Sequence, residues 1–337
     1  MRAHDSATPQ SRIAVPQPGT HGAPAGTAPT HTAPTVAAPT PGPPTPGEAS
    51  VASGSSRRGT ACAALGVAAF SLTFPSTAWG LESFGPWSLV SLRALLGAVV
   101  AGALLLALRV PVPARAHWAG LAVVTAGVVL GFPALTTLAL RSTGTSHAAV
   151  VVGLLPLTTA AFAALRTGSR PSRRFWVAAV AGACVLLGFT LAQGGGVLSP
   201  GDGYLFLALL VCAAAYVEGG RLARLMPGWQ VMGWALLLSV PLALPGAVLA
   251  LSLEPTSLGP RGLTGLVWVA LGSTFFGGYV WYRGIAEIGP ARAGQLQLAQ
   301  PLLTLVWAVT LLGEHLSPAA PVAAAAVLVC IAVTQRG

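Results

Sequence analysis

The sequence predicts an all-α integral membrane protein, its ten transmembrane helices arranged as two inverted five-helix repeats. Three observations carry that expectation. The chain is 54% hydrophobic and 8% charged, with mean hydropathy +0.72, whereas about a quarter of residues are charged in soluble domains. Ten apolar segments follow one another from Arg57 onward, each about long enough to cross a ~30 Å hydrocarbon core as a helix. Sliding the chain against itself by 145 residues aligns two of them without a gap.

Residues 1–56, with runs such as TAPTHTAPTVAAPTPGPPTPG, are rich in Pro, Thr and Ala and have almost nothing to bury. They read as a disordered cytoplasmic tail. They contain no apolar stretch of the kind that opens a cleavable signal, which leaves the first span to direct insertion. The expected spans are 60–79, 86–108, 118–140, 146–165 and 174–192 in a first repeat covering 57–192. A second repeat, 193–337, holds spans at 203–223, 230–251, 263–282, 291–312 and 318–335. A closed barrel would also satisfy its backbone in lipid, but barrel strands alternate apolar and polar residues, unlike the unbroken run LVSLRALLGAVVAGALLLAL.

Charge sets the orientation. All 18 Lys and Arg residues are Arg, and the net charge is +10. They are scattered in ones to fours between apolar runs rather than gathered on one face or arm, so nucleic acid is not the partner. With a cytoplasmic N-terminus, Arg57, Arg58, Arg109, Arg115, Arg166, Arg170, Arg173, Arg174, Arg221, Arg224, Arg283, Arg292 and Arg336 fall inside, and Arg141 and Arg261 outside. That positive-inside bias places the protein in a cell (inner) membrane with both termini cytoplasmic. Cys62, Cys184, Cys212 and Cys330 lie in apolar runs without CxxC or Cys/His spacing; they read as small buried hydrophobes, not disulfide or metal ligands.

The repeat pairs GTSHAAVVVGLLPLTTAAFAALRTGS (144–169) with GPARAGQLQLAQPLLTLVWAVTLLGE (289–314), superposing Gly144 on Gly289, Pro156 on Pro301, Thr159 on Thr304 and Gly168 on Gly313. Five spans is an odd number, so the second copy enters the membrane upside down. Inverted repeats place a substrate site near the midplane, marked by Gly- or Pro-interrupted helices in matching positions.

At these residues the chain resembles the EamA-type members of the drug/metabolite transporter superfamily. The resemblance spans roughly 60–335 and rests on the ten spans, the inverted duplication, TAWG ending span 1, LRALLGAVVAG in span 2, the prolines of spans 4 and 9, and TLLGEHLSP closing span 9. Ser169 stands where a second glutamate of that pattern is expected. The resemblance implies a small-metabolite carrier, commonly an exporter, with spans 3, 4, 8 and 9 lining a central cavity.

The candidate substrate pathway is Gln297, Gln300, Pro301, Thr304, Pro156, Thr159 and Arg93. Gln297, Gln300 and Thr304 are spaced i, i+3, i+7 and so share one helix face. Pro301 would free the carbonyl of Gln297. An amide facing lipid costs several kcal/mol, on the order of unpaired polar transfer values, so this face meets either a polar solute or neighbouring helices. Their repeat counterparts Val152 and Leu155 are apolar, which suits an amphipathic or amino-acid-like solute. Arg93, inside span 2, is either a substrate or carboxylate partner or an anchor snorkelling outward.

Glu82 and Glu218 are candidates for coupling to a proton or another ion, although Glu218 lies one turn before Arg221 and an ion pair accounts for it as well. Glu314 and His315 are expected to cap the outer end of span 9. Trp281, Tyr282 and Arg283 look like an interfacial anchor. There is no HExxH, GxSxG, P-loop or Asp pair, so enzymatic readings lack their residues, and no cofactor or metal is expected. A secondary transporter of a small molecule in the lipid bilayer is the leading reading, and a non-transporting membrane scaffold or sensor the other.

Overall fold

The computed structural model describes residues 46–168, 172–193, 195–288 and 296–335. The tail before Pro46, and the expectations attached to Ser169, Arg170, Gly289, Arg292 and Arg336, lie outside them. The chain divides into residues 1–44 and 45–337, and only the second is treated below.

Every regular element among the described residues is helical. In chain order they are α1 (Pro46–Ser71), α2 (Thr73–Leu81), α3 (Pro86–Ala107), α4 (Trp118–Val124), α5 (Phe132–Ala139), α6 (Thr145–Val152), α7 (Leu155–Thr167) and α8 (Arg173–Gln193). Then follow α9 (Pro200–Leu222), α10 (Gly228–Leu253), α11 (Pro260–Val267), α12 (Gly278–Ile288), α13 (Ala299–Leu312) and α14 (Ala319–Gln335). Joined end to end where they continue one another, they give 8 rods long and apolar enough to cross a membrane, plus two shorter apolar helices at Ala299–Leu312 and Ala319–Cys330. The helix α1 begins at Pro46, inside the stretch expected to be tail, because a proline at a first helical position loses no hydrogen bond. Its membrane-length part begins at Arg57, where the apolar run starts.

Local chemistry sets the ends. Gly85, Gly144 and Gly259 are extended residues before α3, α6 and α11. Pro86, Pro200 and Pro260 occupy first turns. Ser199 and Asp202 form a reciprocal capping box at the start of α9. Gly168 and Gly313, the repeat counterparts, both stop their helices in the left-handed conformation at φ 65° and 67°.

The packing repeats when the halves are exchanged. The α1–α2 rod runs along α11 and α12, as α9 runs along α4 and α5; α3 pairs with α10, α8 with α14, and α6 with α13. One large apolar cluster unites α6, α7, α8, α9, α13 and α14, and a second joins α3, α4, α9 and α10. Gly120 and Gly265, again counterparts, let their helices touch a neighbour: a side chain at Gly120 would strike Glu218, and one at Gly265 the backbone of Ser76 and Gly80. Small residues at such crossings are how membrane helices approach closely.

Five rods change helical geometry at mid-length. The first bends at Leu72, between α1 and α2. The rods α4–α5 and α11–α12 pass through π-helical segments at Thr125–Gly131 and Trp268–Gly277. The rod α6–α7 breaks at Gly153–Leu154, and a turn at Leu298 precedes α13. Shifted by 145 residues, Gly153 falls on Leu298 and the first π segment on the second.

Candidate substrate pathway

These interruptions gather polar groups into one layer halfway along the bundle. Where α1 bends, the Ser71 carbonyl accepts a hydrogen bond from Thr304 Oγ1 at 2.9 Å, and Ser71 Oγ accepts from Trp307 Nε1 at 2.9 Å. On the other side of the bend Thr73 Oγ1 lies 2.6 Å from Ser273 Oγ in the second π segment. Thr274, one residue on, donates to the Val269 carbonyl at 2.7 Å, the five-residue reach of a π turn. In the first π segment Thr125 donates to both Leu121 and the Ala235 carbonyl of α10, each at 2.9 Å.

The expected pathway residues separate within this layer. Gln297 and Gln300 are half-buried, and their amides have no side-chain hydrogen bond among the described residues. Pro301 stands in the first turn of α13, just beyond the turn at Leu298, and having no N–H it offers the Gln297 carbonyl no donor four residues on. Its ring faces Gly153, where an added methyl group would come within 3.3 Å of Pro301 Cγ. The two breaks therefore touch. Pro156 and Thr159 are half-buried in α7, and the Thr159 hydroxyl donates to Leu155 at 2.8 Å in its own helix. Thr304 is 2% exposed, and its hydroxyl donates to the Ser71 carbonyl of α1 at 2.9 Å as well as to Gln300 in its own helix at 3.0 Å, so it fastens helices together. Val152 and Leu155, the counterparts of the glutamine face, are buried in the apolar cluster.

Arg93 is half-buried, and both Nε and Nη2 donate to Thr274 Oγ1, at 3.1 and 2.9 Å. Arg93 lies seven residues into α3 from its first residue, while Thr274 lies fourteen into its own rod from the same end. At 1.5 Å per residue that is about 10 against about 20 Å, so the guanidinium points toward mid-bundle and is no anchor at the near end.

The acids sit at the ends. Glu218 is clasped by Arg166 Nη1 and Arg221 Nη2, each at 2.6 Å; Arg283 pairs with Glu287 at 3.3 Å. With Arg109, Arg115, Arg173 and Arg174 on neighbouring turns, this end is the arginine rim. Trp281 is less an interfacial anchor than a packing residue, its ring edge-to-face with Phe70 at 6.2 Å.

At the opposite, carboxylate rim, Glu254 accepts from the Trp87 and Ser88 amides at 3.1 and 2.8 Å and from Ser88 Oγ at 2.7 Å. Glu314 does the same for α6, accepting from Thr145 N, Ser146 N and Ser146 Oγ at 2.7, 2.9 and 2.6 Å. The expectation that Glu314 caps its own helix is thus corrected: the Gly313 and Glu314 amides close α13, but the carboxylate serves another helix. His147 Nε2 meets Asp202 Oδ1 at 2.6 Å on the same rim, its ring stacked on Phe189. Glu82 is exposed there, without a side-chain partner among the described residues.

A multi-pass helical bundle of two like halves, with paired helix breaks and a polar layer between its rims, is the architecture of a membrane carrier. The model of the EamA-like transporter family matches residues 57–191 and again 199–335. The chain belongs to that family and is a membrane transporter. It is 42% identical over 272 residues to the uncharacterized transporter YdeK of Bacillus subtilis (strain 168), covering 81% of this chain and 95% of that protein. An uncharacterized transporter of Haemophilus influenzae is 34% identical over 61 residues, 18% of this chain and 36% of its own length. A solved crystal structure shares the fold with a TM-score of 0.57 at 23% identity, covering 82% of this chain and 97% of its own.

Proposed function

We propose that the protein is a secondary transporter exporting a small amphipathic or amino-acid-like metabolite by alternating access, through ten helices in two inverted repeats with both termini cytoplasmic. The arginine rim then faces the cytoplasm, in keeping with the positive-inside bias, and the carboxylate rim faces outward. One observation carries the reading: the helix breaks at Gly153 and Leu298, and the two π segments, fall at matching positions of the two halves. Matched interruptions at the midplane are what inverted-repeat carriers use to bind a solute and to rock about it.

The unspent amides of Gln297 and Gln300 offer neutral donors and acceptors beside that contact, with Pro156, Thr159, Pro301 and Arg93 around them and Thr304 as the fastening beneath. Export is the direction the family resemblance implies. Of the two coupling candidates, Glu82 keeps a carboxylate without a side-chain partner among the described residues, whereas Glu218 is spent on two arginines.

Cysteines placed at 297 and 300, in a background lacking the four native ones, test the passage. Labelling by a water-soluble thiol reagent, with flux lost but melting unchanged in the leucine variants, is the expected result. Unlabelled cysteines together with lowered melting would assign both amides to dry helix packing. A reporter fused after Arg174 should read cytoplasmic and one after Asp202 external; the same side for both breaks the ten-span topology.

A further inference from the structure

We infer that Arg93 is the anion-binding residue of this pathway and that the metabolite carried is a monoanion whose carboxylate docks on its guanidinium; this rests on the transporter reading above. The inference follows from where the acids are spent. Of the seven acids among the described residues, Glu48 stands near the start of α1, before its membrane-length part; of the other six, Glu218 and Glu287 are paired with arginines of the arginine rim, and Asp202 with His147. Glu254 and Glu314 are occupied by the first turns of α3 and α6, and Glu82 is exposed at the carboxylate rim. None pairs with Arg93. A cation held in the middle of a membrane bundle is costly unless it meets a counter-charge, and among the described residues the protein supplies none.

What it supplies instead is a holder. Thr274 Oγ1 accepts from Nε and Nη2, and its own proton goes to the Val269 carbonyl. The hydroxyl therefore fixes the guanidinium without neutralising it, and it is itself fixed by the π turn. Of the five guanidinium N–H groups, two point at Thr274, which leaves three unspent among the described residues. The Tyr216 phenol of α9 lies within electrostatic reach and is partly exposed, so two elements of the second half converge on a cation of the first. The planar fork of an arginine matches a carboxylate in geometry. A single cation also matches one negative charge; a dianion would keep an uncompensated charge in a medium of low dielectric.

The test compares extracellular metabolites of cells lacking the protein with cells producing the full chain, Arg93→Gln, Arg93→Lys or Thr274→Val, each checked for yield and monodispersity in detergent. The expected result is that species exported only with the wild type carry one carboxylate and an apolar body. Their export should fall about 10- to 100-fold in Arg93→Gln, the loss that follows removal of a hydrogen bond to a charged group, and recover in part in Arg93→Lys. Thr274→Val keeps the charge and should keep the carboxylate selectivity at reduced flux, which serves where Arg93→Gln fails to fold. Exported species that are neutral, or that persist in a folded Arg93→Gln, overturn the anion site and leave the transporter standing. No species dependent on the wild type would overturn both.

Discussion

The two rims of the bundle are closed by different chemistry. At the carboxylate rim, Glu254 and Glu314 each hold two backbone amides and a serine hydroxyl at the start of a helix in the other half. The helix dipole adds to each bond, and backbone amides have nowhere else to go. At the arginine rim the halves meet through the packing of α1 on α12 and through the ion pair of Glu218, 5% exposed, with Arg166, 53% exposed. The Glu218 carboxylate keeps Arg221 as a second partner, so the half-exposed Arg166 adds about 1 kcal/mol or less, and its share weakens with salt. The repeat counterparts of Glu254 and Glu314 are Arg109 and Ser169, and a cation at the first position cannot cap a helix N-terminus. Two halves alike in fold are thus closed by carboxylate caps at one end, and at the other by a part-exposed ion pair beside the close packing of α1 on α12, where Gly59, Gly66 and Gly284 leave no room for a side chain.

The strongest way to break this comparison is to remove both clasps. Glu254→Ala with Glu314→Ala takes away two helix caps, each worth about 1–2 kcal/mol, so the double variant should lose about 2–4 kcal/mol in detergent unfolding. Cysteines at Trp87 or Thr145 should also become more reactive toward a thiol reagent added from the carboxylate rim. Unchanged melting would show that the two rims are equally held.

Between the rims, Thr304→Val removes the bond to the Ser71 carbonyl. It should cost about 0.6–1.5 kcal/mol by the usual range for helix–helix hydrogen bonds in membranes, measured in the same unfolding series; a loss as large as the double clasp variant would move the firm closure from the rim to the middle. The smallest effect belongs to Arg166→Ala, at or below about 1 kcal/mol. Its cost should shrink further between 0.1 and 1 M salt, where the screening length falls from about 10 to about 3 Å. A salt-independent cost would mean that the arginine rim is as dry as the other.

Much of this was legible in the sequence because hydropathy and charge act over whole segments. The apolar runs and the repeat are reflected in the helices and in the twofold family match, and Gly168 and Gly313 in the helix ends they close. The breaks at Gly153 and Leu298 were foreshadowed by the matched prolines Pro156 and Pro301, but the π segments were not legible. TAGVVLG and WVALGSTFFG are as apolar as any helix, and burial in lipid does not sense whether a turn holds 3.6 residues or more; only Gly127, Gly131, Gly272 and Gly277 hint at it.

Glu254 was passed over for a different reason. It follows its own helix, where the dipole repels an acid, and that misfit was the available signal: a carboxylate placed against one helix end is there for another helix's beginning. Glu314 sits in the same position. Thr304 was misplaced because spacing on a helix tells which residues share a face but not what the face meets.

The clasps also give the chain an order in time. Glu254 is separated from Trp87 by 167 residues, and Glu314 from Thr145 by 169. At roughly 5–20 residues per second of synthesis, the starts of α3 and α6 wait on the order of 10–30 s after they emerge for the carboxylates that will cap them. Throughout that interval water at the rim must solvate those amides, and the first half stands in the membrane unfinished. A chain that stops before residue 254 lacks both carboxylates, and the starts of α3 and α6 stay uncapped by them.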